Sequence, residues 1–62
     1  MTDDPDIFRA AKLLIDQHRE DAPLRAAQRA GELLKDGDVE RSAVWGRILA
    51  AVTELQRGRR EG

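Results

Sequence analysis

No cysteine occurs in the chain, which removes disulfide cross-links and thiolate metal centres as sources of stability. Tyrosine is absent too, and histidine and serine occur once each, as His18 and Ser42. So few nucleophiles and bases form no recognisable catalytic pair. The phosphate-binding G-x-x-x-x-G-K-[ST], dinucleotide-binding G-x-G-x-x-G and zinc-binding H-E-x-x-H patterns are all missing. The expectation is a protein that is not an enzyme, with no catalytic residue, no metal and no cofactor. No apolar run approaches the roughly 20 residues a membrane span requires. The opening Met1-Thr2-Asp3-Asp4-Pro5-Asp6 is acidic where a secretory signal would be basic. A cytoplasmic protein with no membrane association is therefore expected.

What is present is short and highly charged. Sixty-two residues are enough for a single helical domain, 1–62, with frayed tails expected at 1–3 and 58–62. A domain of this size buries only about 60% of its unfolded surface, so oligomerisation or a partner is a natural supplement to its core. Eleven basic and twelve acidic residues give a formal charge of −1, too small for a global field toward nucleic acid or membrane. The distribution is uneven. Residues 1–40 carry ten acids and six bases, whereas residues 41–62 carry two acids and five bases, with Arg57, Arg59 and Arg60 near the end. Those three arginines are candidate contacts for phosphate or an acidic partner, although they neutralise only about three phosphates.

Two punctuation sites, Arg19 to Pro23 and Asp36-Gly37-Asp38, divide the chain into three helical segments at about 5–18, 22–36 and 39–57. Asp4 is the expected N-cap of the first, with Pro5 at its first position. Asp21 is the expected cap of the second, Gly37 the left-handed residue that ends it, and Asp38 the cap of the third, which should stop before Gly58. No alternating strand-like run is present.

Each segment is amphipathic at about 100° per residue. The first groups Ile7, Phe8, Ala11, Leu14, Ile15 and His18, and strands Leu13 on the polar side. The second places Pro23, Leu24, Ala26, Ala27, Ala30, Gly31, Leu33 and Leu34 on one side, a face of mostly small residues suited to the middle helix of a bundle. The third spreads Val44, Trp45, Ile48, Leu49, Ala51, Val52 and Leu55 over an arc of roughly 160°, more than the roughly 100° one core contact needs. Short connections then predict a compact all-α, three-helix, up-down-up unit.

The surplus width of the third helix, together with Leu13, marks a candidate protein interface comprising Leu13, Val44, Trp45, Leu49 and Ala51, with Trp45 as an anchor. His18 closes an apolar face near a helix C-terminus and is expected to be structural. Asp16 lies about 160° around the helix from it, so the two cannot share a metal.

The segment Asp6-Ile7-Phe8-Arg9-Ala10-Ala11-Lys12-Leu13-Leu14-Ile15-Asp16-Gln17-His18, with Gly37-Asp38 and Ala43-Val44-Trp45-Gly46-Arg47-Ile48, resembles a group of short bacterial all-helical proteins of unknown function. The resemblance spans nearly the whole chain and implies no functional residue. In that group a glycine often follows the histidine, where this chain has Arg19. The function expected is a non-enzymatic helical protein-interaction module, self-associating as a homo-oligomer, with a dimer favoured, or docking on a protein partner. The alternative is a small nucleic-acid-associated regulator or accessory factor using the arginine-rich C-terminal third.

Overall fold

A computed structural model describes residues 5–61, with side chains through residue 58, and every element in it is helical. Helix α1 spans Pro5–His18, a single turn of 3-10 helix spans Arg19–Asp21, α2 spans Ala22–Lys35 and α3 spans Val39–Glu61. The all-α class expected from the sequence is what the chain adopts. The expected N-cap of α1, Asp4, lies outside the described residues.

The first break differs from the expected loop. Residues 5–35 form one bent helical arm, because the 3-10 turn carries helical backbone from α1 into α2 with no intervening coil. The bend is produced at Arg19, whose φ of 53° lies in the left-handed region. A residue with a Cβ adopts that conformation only against steric opposition of about 1–2 kcal/mol. The Gln56 side chain of α3 meets the bend, its Nε2 donating to the Arg19 carbonyl at 2.6 Å. Asp21 makes no side-chain cap, since α2 inherits its first turns from the helical backbone before it.

The second break follows sequence logic closely. Gly37, at φ 84°, takes the left-handed position. Gly37 N–H donates to the Leu34 carbonyl at 3.0 Å and Asp38 N–H to the Leu33 carbonyl at 2.8 Å, the paired bonds of a Schellman stop. One residue later Asp38 caps α3, its Oδ1 accepting from Arg41 N–H at 3.1 Å. The Ser42 hydroxyl donates to the Ala30 carbonyl at 2.9 Å, tying the start of α3 to the latter part of α2. Pro23, at the start of α2, shares a groove with Thr53 and Gln56, so α2 and α3 run antiparallel. The C-terminal end expected at Arg57 is also corrected, since α3 continues past Gly58 to Glu61. An exposed helical glycine costs only about 1 kcal/mol, too little by itself to terminate a helix.

The pairing of helices departs from the expected bundle. Both α1 and α2 pack chiefly on α3, while α1 and α2 meet each other far less. The central helix is therefore α3, not the small-residue α2, and most of the wide apolar arc of α3 is covered within the chain by two neighbours, Val44 staying exposed. The core they enclose is small. Ala11 and Ile15 of α1, Ala22 of α2, and Ile48 and Val52 of α3 form the buried cluster, with Ile7, Ala10, Leu14, Trp45, Ala51 and Leu55 packed partly buried around it.

Candidate interaction surface

Among the described residues the large apolar side chains divide unevenly between inside and outside. Only Ile15, Ile48 and Val52 are buried, whereas Phe8, Leu13, Leu24, Leu34, Val39 and Val44 remain between 41% and 63% exposed. Isolated exposed leucines are ordinary on any protein, so the question is which of these residues lie together.

Helix α2 answers it. Ala22 and Ala26 are buried, and Pro23, Ala30 and Leu33 are half-buried toward α3 and the core. Leu24, Ala27, Gly31 and Leu34, which the sequence pattern also placed on the inward side, are all exposed. At about 100° per residue these four lie roughly 120° to 200° around the helix from Ala22, the α2 residue in the core cluster. They form a continuous ridge on the side of α2 that the chain leaves open. A Cβ built at Gly31 would meet nothing within 4 Å, so the glycine relieves no crowding inside the chain.

The residues expected to form the interface are scattered by the fold. Trp45 and Ala51 are half-buried against the core cluster. Leu49 is half-buried and lies two turns along α3 from Ser42, on the flank facing α2. Val44 (41%) and Leu13 (59%) are exposed, Leu13 on the outer side of α1 away from the core. Two of the five are thus exposed, two are packed around the core and one faces α2.

The arginine-rich end meets the bend between α1 and α2. Arg57 and Arg19 both line an open groove of about 540 Å³, with Ile15 and Pro23 as apolar parts and Glu20 beside them. Arg57 is exposed and reaches Glu54 at 4.0 Å, which offsets its charge locally. The side chains of Arg59 and Arg60 lie outside those described. His18 is half-buried at the end of α1. No group of three His, Cys, Asp or Glu side chains able to hold a metal occurs among the described residues. No described helix is long and apolar enough to cross a membrane.

Leu24 and Leu34 were missed as surface residues although the pattern contained a signal for them. The apolar side of α2 extends about 180°, from Leu33 around to Leu24, again wider than one contact needs. The ridge itself has the 3-4-3 spacing of a helix–helix seam. Comparison with protein-family models, curated proteins and solved structures finds no match to the chain.

Proposed function

We propose that the protein is a non-enzymatic helical interaction module that works through its exposed apolar surface, in the first instance by binding itself. The observation supporting this reading is that six large apolar side chains stay 41–63% exposed while only three among the described residues are buried. Burying apolar surface contributes about 25 cal/mol per Å², so a fold that leaves this much exposed gains stability from any partner that covers it. A small core of three large side chains and three alanines leaves such a chain near the lower limit of independent stability.

The test is sedimentation velocity over a dilution series from micromolar to millimolar, paired with denaturant unfolding at the two ends of that range. The reading expects both the weight-average mass and the unfolding midpoint to rise with concentration. A strict monomer with one midpoint throughout, and no protein retained by the immobilised chain, would overturn it. A salt-dependent shift of mixed duplex DNA, lost on removing Arg57, Arg59 and Arg60, would move the assignment to nucleic-acid association.

A further inference from the structure

The open ridge of α2 has a register that its own copy fits. Leu24, Ala27, Gly31 and Leu34 are spaced 3, 4 and 3, the alternation that keeps one seam facing a neighbouring helix. That spacing is also palindromic. Turned end for end about a two-fold axis near position 29, Leu24 falls opposite Leu34 and Ala27 opposite Gly31, and the reverse pairs follow automatically. A two-fold contact demands this property, because residue i must meet j wherever j meets i. The two small residues take the middle, where backbones approach most closely, and the two leucines take the ends.

The flanking charges agree with the same arrangement. On one side the ridge is bordered by Pro23 and Ala30, which lean toward α3. On the other side lie Asp21, Gln28 and Lys35, spaced by sevens and all exposed. In an antiparallel pair of helices like flanks face each other, so Lys35 meets the second copy's Asp21 at both ends and Gln28 meets its own counterpart in the middle. A parallel pairing would instead set this flank against the second copy's Pro23 and Ala30, leaving Asp21 and Lys35 without an opposite charge across the seam. Neither Asp21 nor Lys35 forms an ion pair with the described residues. Gly31 belongs to the same picture, being an exposed mid-helix glycine that costs about 1 kcal/mol and fills no intrachain need.

We infer that α2 is the contact of an antiparallel homodimer, a second copy of the chain covering Leu24, Ala27, Gly31 and Leu34 and pairing Lys35 with Asp21. This inference rests on the self-association reading above and specifies its surface. The ridge is about 15 Å long, so the contact is smaller than a standard interface and the dimer forms reversibly at high protein concentration.

The experiment measures dimerisation by sedimentation equilibrium and monomer unfolding by circular dichroism at high dilution, on the same set of variants. Leu24→Glu and Leu34→Glu are each expected to weaken the dimer by about tenfold or more while leaving helix content intact, because each side chain is already more than half exposed. Gly31→Gln separates the two readouts, raising the monomer's midpoint through better helix propensity while weakening the dimer by holding the backbones apart. Lys35→Asp weakens the dimer, and adding Asp21→Lys restores it. A dimer that persists undiminished in Leu24→Glu and Leu34→Glu overturns the α2 contact and leaves the self-association reading standing. Failure of Asp21→Lys to rescue Lys35→Asp overturns the antiparallel register. A wild-type chain that stays monomeric to millimolar concentration removes this inference together with self-association.

Discussion

Replacing Arg19 by glycine tests the origin of the bend through the sign of its effect. Arg19 has a φ of 53°, and its exposed side chain makes no ion pair with the described residues. Removing that side chain therefore forfeits little, and the Gln56 hydrogen bond survives because it is accepted by the backbone carbonyl. Glycine relieves the roughly 1–2 kcal/mol of steric opposition to left-handed backbone. Against this stands about 0.5–1 kcal/mol of extra unfolded-state entropy. The balance is a stabilisation between about 0 and 1.5 kcal/mol, which for a domain this small raises the melting midpoint by up to about ten degrees. Arg19→Ala keeps the Cβ and hence the strain, and should change stability by less than about 0.5 kcal/mol. Urea unfolding followed by circular dichroism at fixed concentration measures both. A loss of about 1 kcal/mol in Arg19→Gly is the effect of glycine in ordinary helix, and would refute a left-handed residue at this point.

Asp38→Ala removes the acceptor of the Arg41 N–H bond and should cost about 1 kcal/mol, whereas Asp38→Asn, still a competent cap, should cost a few tenths; thermal melts of the pair decide whether the cap matters. Gly46→Ala, on an exposed stretch of α3 with open space around the added methyl, should stabilise by about 0.5–1 kcal/mol, and an unchanged or lower midpoint would show that the outer side of α3 is covered. Ile48 is 5% exposed in the core cluster, so Ile48→Glu should abolish the cooperative melt and most far-ultraviolet helix signal.

The parts of the fold legible in the sequence are those encoded by residues a few positions apart. Asp38 three residues before Arg41, and Gly37 just after the end of α2, are local devices whose geometry follows from their side chains, and the structure uses both. The bend at Arg19 carries no comparable signature, because arginine in a left-handed position is indistinguishable by type from arginine in a helix. Gly58 read as a terminator, yet the cost of a glycine is small and the helix runs through it. Which helix occupies the centre was beyond the helical wheel altogether. A wheel reports how broad an apolar face is, not how many neighbours share it. Most of the breadth of α3 is covered by two neighbours inside the chain, with Val44 left exposed, whereas that of α2 leaves Leu24 and Leu34 in water. Of the residues whose breadth suggested a surface on α3, Trp45 and Ala51 are packed around the core.

The claim that two copies meet through antiparallel α2 helices is tested most directly by distances between spin labels, since the cysteine-free chain accepts one labelled cysteine at a time without competing thiols. A label in place of Gln28 sits near the two-fold axis, and its partner in the second copy should lie roughly one interhelical spacing away, about 10 Å plus the reach of the labels. A label in place of Lys35 faces the second copy's Asp21, so its own counterpart is displaced along the axis by fourteen residues, about 21 Å. Double electron–electron resonance and line broadening at high concentration should accordingly show a short distance from position 28 and a distinctly longer one from position 35. Equally short distances from both positions would indicate parallel helices, and dipolar coupling absent from both, in a sample shown to be dimeric, would place the contact elsewhere and contradict the account.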